Sequence, residues 1–191
     1  MFSSSTIRIL GMDPGTVNMG FSYIDYDLAS NQIIRSDLWS IKTEKLIRND
    51  DDSAFIYGER FIRIQKLKDY ILDDLTIYTP NFVFCETPFF NILRPSAFQP
   101  LAEVLFAIKT ACYEYNPLLE WKGVEPKLVK ASIGATGKAD KDKVKDCMKI
   151  LQPSFNCLSL IEHSDEHAID ALAVAYTGLN FLKEKIYVGV I

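Results

Sequence analysis

The sequence predicts an α/β fold: a mixed five-stranded sheet, three antiparallel strands followed by two parallel ones, flanked by helices. Three observations predict it. Short strand-like runs crowd the first forty residues with little chain between them. The run NFVFCE, Asn81 to Glu86, is continuously apolar until its final acid, as a strand buried on both faces reads. The remaining order is helix, strand, helix, strand, helices, with no internal repeat or linker dividing the chain.

The first strand runs from Ile7 to Met12 and ends at the turn signal Asp13-Pro14-Gly15-Thr16. Gly20 to Tyr26 alternates, with Phe21, Tyr23 and Asp25 on one side and Ser22, Ile24 and Tyr26 on the other, and suits the second strand of a hairpin. Gln32 to Ile41 supplies the third, completing a meander. Lys42 to Ser53 reads as a polar loop around Asp50-Asp51-Asp52, a solvated run more than a metal site. From Ala54 to Tyr78 the period turns helical, with Phe61, Ile64, Leu67, Ile71 and Leu75 at three- and four-residue steps. After the buried strand, Pro88, Pro95 and Pro100 predict a loop, then a helix over Leu101 to Tyr115 and a strand over Leu118 to Val124. A short helix begins at Lys127, Gly134 to Gly137 links it to a helix over Asp140 to Leu151, and Ser164 N-caps a final helix to Leu182. Lys185 to Ile191 reads as an edge strand or a dimer contact.

Bulk properties bound the function. The 191 residues carry 21 Lys and Arg against 25 Asp and Glu, a formal charge of −4. Taken as an average, that argues against a nucleic-acid partner, because phosphate neutralisation takes clustered lysines and arginines. The average hides a patch. Between Trp121 and Ile150 stand eight lysines and four acids, a net of +4. No apolar run reaches the roughly 18 residues of a membrane span, and Met1 to Ser5 is short for a targeting leader. Four cysteines without a CxxC pair suggest reduced thiols. His163 and His167 have zinc-like spacing, but Cys147 and Cys157 stand too far apart and too close upstream for a finger.

Isolated acids at element ends carry the chemistry. Asp13 ends the first strand and Glu86 the buried one. Asp170 lies in the final helix among Ala168, Ile169, Ala171, Leu172, Ala173 and Val174, where an unpaired carboxylate costs several kcal/mol (roughly). His167 precedes it by one turn and shares its face. Hard oxygens with one imidazole suit Mg²⁺ or Mn²⁺. Two such ions about 4 Å apart clamp both oxygens of a phosphodiester displacement, and no serine or cysteine nucleophile is convincingly presented.

The blocks ILGMDPGTVNMGFSYID, FVFCETPFF, EPKLVKASIGATGKADKDKVKDCM and HAIDALAVAY together resemble the RuvC-like Holliday junction resolvases of the RNase H-like nuclease superfamily. The resemblance spans residues 7 to about 178 and treats 1–191 as a single nuclease domain. It implies metal-dependent cutting of four-way DNA junctions by paired symmetric nicks, leaving 5′-phosphate and 3′-hydroxyl ends. It also implies two Mg²⁺ per site, with Mn²⁺ as a substitute, held by Asp13, Glu86, His167 and Asp170. The fourth position is Asp in some members and His in others. Lys130 and Lys141 match basic positions that face DNA, with Lys138 and Lys143 in the same segment; Phe89 matches an aromatic that stacks on bases, and Phe90 is adjacent. A homodimer follows from two-fold related nicks. No membrane and no nucleotide cofactor are expected, and the setting is the cytoplasm of a bacterium or of a virus-infected cell. Departures lie at Asn31 to Asp52, the proline-bearing loop and the C-terminal tail.

Three rivals remain. One is a broader flap or fork endonuclease. Another is an inactive junction-binding protein. The actin-like kinases and ATPases also open on D-x-G-T and a hairpin, but the second phosphate loop and adenosine motif they need are not visible in the sequence.

Overall fold

The computed structural model describes residues 5–47, 52–88, 98–136, 141–157 and 161–187. Strands β1 (Thr6–Asp13), β2 (Asn18–Asp27) and β3 (Gln32–Lys42) form the expected antiparallel meander. β4 (Phe82–Glu86) pairs parallel with β1, and β5 (Glu120–Val124) parallel with β4, giving the order β3-β2-β1-β4-β5.

Side-chain alternation divides the sheet into two faces. Leu10, Met12, Met19, Phe21, Tyr23, Val83 and Cys85 face α2 (Glu59–Tyr78) and α3 (Phe98–Tyr115). Ile9, Ile24, Tyr26, Leu38 and Phe84 face α4 (Pro126–Ser132), α5 (Lys141–Leu151) and α6 (Glu166–Tyr187). Position parity then places Asp13, two residues on from Gly11 and four from Ile9, on the α6 side. Glu86, two residues on from Phe84, falls on the same side.

Two glycines bring α6 down onto that face. A Cβ on Gly11 would meet the Ala171 carbonyl oxygen at 2.3 Å and the Ala175 Cβ at 2.7 Å. A Cβ on Gly20 would meet the His167 carbonyl oxygen at 1.9 Å. Only bare backbone permits this approach, and the small residues Ala171 and Ala175 complete it from the helix side.

Several expectations shift. The helical run from Ala54 is two helices, a short α1 (Asp52–Tyr57) and α2, because Gly58 takes φ +85°. A residue with no Cβ adopts that conformation at little cost, and a continuous helix excludes it. The described part of the predicted loop from Lys42 contains a 3₁₀ turn, Thr43–Leu46, fastened by the buried Thr43 hydroxyl, which donates to the Thr16 carbonyl at 2.7 Å. Asp52 and Ser53 already belong to α1, while Asp50 and Asp51 lie outside the described residues. Pro100 sits in the first turn of α3, where its missing N–H has no intrahelical partner to lose. The cap of α6 is Asp165, whose Oδ1 accepts the Ala168 N–H at 3.1 Å; Ser164 precedes the cap. Lys185 to Tyr187 continue that helix, correcting the edge-strand reading for those three residues, and residues 188–191 lie outside the described set. Among the described residues no helix is long and apolar enough to cross a membrane.

Candidate active site

β1 and β4 run side by side and in the same direction, with Met12 opposite Cys85. One step further, at the ends of these strands, stand Asp13 and Glu86. Neighbouring strands lie about 4.8 Å apart, so parity and register together set two carboxylates on one sheet face. α6, seated on Gly11 and Gly20, adds His167 and Asp170 from one helix face. The sequence-predicted quartet is therefore assembled from three elements.

The geometry is specific around Asp13. Its Oδ2 lies 2.8 Å from His167 Nδ1. The side chains of Asp13 and His167 are 14% and 25% exposed, so the pair is shielded but reachable. A neutral imidazole donating from Nδ1 leaves the Nε2 lone pair available. That hydrogen bond also raises the His167 pKa, against the opposing effect of partial burial.

The other two acids are held in an electrostatic conflict. Burial, followed by the negative charges of Asp13 and Asp170, pushes Glu86 up to about 8. Burial and the charge of Asp13 push Asp170 up to about 7. Buried carboxylates that repel one another take up protons unless a positive charge joins them. The nearby lysines supply part of it: Lys130 lowers Glu86, and Lys141 lowers Asp170. Among the described residues, no group of three or more His, Cys, Asp or Glu side chains has the spacing of a formed metal cage. The chemistry of the donors nevertheless fits a hard divalent cation: oxygen donors with one imidazole, and a surplus of negative charge that protons only partly relieve. Cys85, beside Glu86, is fully buried and its thiol is pushed well above its ordinary range by that burial. A thiolate nucleophile is unavailable there.

The basic segment divides on inspection. Lys130 stands on α4 toward Glu86, and Lys141 opens α5 near Asp170. Lys143 is exposed on α5. Lys122 lies over the Phe181 ring at 4.0 Å, Lys145 donates to the Glu162 carbonyl at 3.0 Å, and Lys149 pairs with Glu162 at 3.8 Å. Part of the +4 segment is thus committed to the fold. Lys138, Phe89 and Phe90 lie outside the described residues. Sequence reasoning missed Glu166, which pairs with Lys141 and lies 3.6 Å from His167 Nε2. It also missed the two glycines that seat α6. Their signal was present in the close-set GMD and NMGFS stretches, but only the helix position gives it meaning.

The family described as crossover junction endodeoxyribonuclease RuvC matches residues 9–178. A RuvC of Fusobacterium nucleatum is 30% identical over 189 residues, covering 96% of this chain and 85% of that protein. A RuvC of Rickettsia felis is 30% identical over 169 residues, covering 88% of this chain and 95% of that protein. Among solved structures, Thermus thermophilus RuvC superposes with a TM-score of 0.67 at 18% identity, covering 93% of this chain and 96% of that one. The yeast mitochondrial Holliday junction resolvase Ydc2 gives 0.64 at 11% identity, covering 94% and 83%. Both support the fold.

Proposed function

The chain belongs to the RuvC family of crossover junction endodeoxyribonucleases, and we propose that Asp13, Glu86, His167 and Asp170 are the residues with which it cuts branched DNA. The observation that carries this reading is the meeting of three mutually repelling carboxylates and one imidazole at the joined ends of β1, β4 and α6.

Asp13, Glu86 and Asp170, with His167, would hold two Mg²⁺ ions, with Mn²⁺ as a substitute. Such ions stabilise charge on a phosphodiester and lower the pKa of a bound water. The protein's own part is separable. His167 Nδ1 fixes the rotamer of Asp13. Partial burial of Glu86 and Asp170 weakens the screening of their charge by bulk water. Lys130 stands near Glu86 and Lys141 near Asp170, where they would meet phosphates, with Lys138 and Lys143 extending the contact along the same segment. Phe89 and Phe90 would stack on exposed bases, a contact available to any base because each has a π face. The ends left are a 5′-phosphate and a 3′-hydroxyl.

A four-way junction has two equivalent strands to cut, so the active form is a homodimer. Supporting this, α1, α2 and α3 present a run of exposed apolar side chains: Phe55 (96% exposed), Ile56, Tyr57, Phe61 and Phe106. At about 150–250 Å² for a whole aromatic side chain, these partly to fully exposed rings and Ile56 supply a large part of the roughly 800 Å² that one partner contributes to a standard interface. It lies on the sheet face opposite α6.

The test is a substrate panel. Four-way junction, flap, fork and linear duplex are incubated with the protein in Mg²⁺, Mn²⁺ and EDTA. Paired nicks in the junction, with either metal and none in EDTA, support the reading. Equal cutting of linear duplex would overturn it, and preference for flap or fork would move the substrate to those branched forms.

A further inference from the structure

Glu166 stands between two of the candidate residues. α5 and α6 start beside one another, Lys141 being the first described residue of one and Glu166 the first residue of the other. Glu166 Oε1 pairs with Lys141 Nζ and lies 3.6 Å from His167 Nε2. The other imidazole nitrogen meets Asp13. A line of four side chains results: Lys141, Glu166, His167, Asp13. An open cleft of about 270 Å³ lies alongside, walled in part by Lys141, Lys145, Glu166 and Asp170.

A lysine near the start of a helix is electrostatically disfavoured, because the helix N-terminus already carries partial positive charge. Asp142 in the first turn of α5 and Asp165 at the cap of α6 offset part of that charge, and Glu166 is the acid that pairs with the Lys141 ammonium itself. The pairing is more than a chance encounter of two long side chains, because the helices are stitched together one turn further along. There Lys145 Nζ donates to the backbone carbonyls of Glu162 at 3.0 Å and Ser164 at 3.4 Å. This holds the start of α5 against the approach to α6. Lys141 is itself 63% exposed and would otherwise sample many rotamers.

We infer that Glu166 is a positioning residue for DNA cleavage: it holds the Lys141 ammonium beside the Asp170–His167 end of the carboxylate cluster, where an incoming phosphate takes the lysine over. The inference rests on reading that cluster as the cutting centre. It gives Glu166 two effects of opposite sign. Its charge repels the phosphate and weakens binding. Its hold on Lys141 pre-places a cation and speeds the cut.

The experiment measures both in Glu166→Gln, Lys141→Met and the double variant. Affinity for a fluorescent four-way junction is read in EDTA, and the single-turnover cutting rate in Mg²⁺. Glu166→Gln is expected to bind about two- to fivefold more tightly, the range of an exposed charge pair, and to cut about tenfold more slowly. Lys141→Met is expected to bind more weakly and cut more slowly. Adding Glu166→Gln to Lys141→Met is expected to change the rate less than about twofold, since the residue acts through the lysine. Cutting at the wild-type rate by Glu166→Gln would overturn the inference. So would a parallel loss of binding and cutting, or a further tenfold loss in the Lys141→Met background. If the wild-type protein leaves the junction uncut, the failure belongs to the function reading. The EDTA comparison then decides the pair alone: tighter binding by Glu166→Gln supports it, and unchanged binding refutes it.

Discussion

Replacing Gly20 by alanine tests how α6 is brought to the site. The added Cβ would lie 1.9 Å from the His167 carbonyl oxygen and 3.1 Å from the Ala168 nitrogen. Ordinary contact begins near 3.4 Å. The first turn of α6 must therefore recede, or β2 must bend, by about 1.5 Å, the difference between 3.4 and 1.9 Å. Both clashing atoms are backbone, so no rotamer change relieves them. Overpacking a dense interior costs about 1–3 kcal/mol, and in a chain of this size each kcal/mol lowers Tm by about 2–4 °C. A loss of roughly 2–12 °C is expected. The effect on cutting is larger, because the displaced turn carries His167 and the next carries Asp170. A misplacement of about 1 Å costs about 100-fold in rate, so single-turnover junction cleavage is expected to fall at least that far at a temperature where the variant is folded. Gly134→Ala is the control: beyond its chain neighbours no atom of the described residues lies within 4 Å of its added Cβ, and its φ of +78° adds backbone strain only. A Gly20→Ala protein with wild-type Tm and a cutting rate within about threefold of wild type would refute the argument that this close approach sets the site.

Three further outcomes follow from the same structure. Asp74 is 7% exposed, its Oδ2 has no hydrogen-bond partner among the described residues, and burial raises it to about 7; Asp74→Leu should raise Tm by several degrees at pH 8 and by much less at pH 5, where the wild-type acid is already neutral. In EDTA, stability should fall as pH rises from 5 to 9 in thermal melts: Asp74, Glu86 and Asp170 all have folded pKa values above their unfolded ones, so the native state holds protons that the unfolded state releases, and His167, also raised, loses its contribution over the same interval. Mg²⁺ should reverse much of that fall at pH 8 by binding only the native cluster, and a flat EDTA profile would contradict the shared-charge account. At the far end of β1, Arg8 grips the buried Asp25 through two hydrogen bonds of 2.6 and 2.7 Å; Arg8→Met should cost about 3 kcal/mol in denaturant unfolding, by stranding that carboxylate, and leave junction cutting by the folded protein unchanged.

Much of this was legible in the residues because the relevant signals are local. The alternation of Phe21 and Tyr23 with Ile24 and Tyr26 sorts into the two cores as a period of two requires. The unbroken NFVFCE run marks a central strand, and its terminal acid falls on the α6 face by parity alone. Asp170 in an alanine-rich helix announces a carboxylate drawn partly out of water, and the structure leaves it half-buried. What stayed hidden depends on distance along the chain. Glu166 and Lys141 are 25 residues apart and meet only because α5 and α6 start together. Gly11 and Gly20 read as ordinary strand glycines until α6 lies across them. The break at Gly58 was missed for the opposite reason. Apolar periodicity continues through α2, and a single positive φ does not alter the pattern of what is buried.

The central claim, that Asp13, Glu86 and Asp170 form the cutting centre, is tested most directly by single-turnover junction cleavage in Mg²⁺ by Asp13→Asn, Glu86→Gln and Asp170→Asn, with junction affinity in EDTA measured in parallel. Each variant keeps the shape of the side chain and removes its charge. The predicted result is junction binding equal to or tighter than wild type, with cutting reduced by at least about 1,000-fold, a barrier increase of about 4 kcal/mol. Cutting at the wild-type rate by any one of the three would contradict the claim.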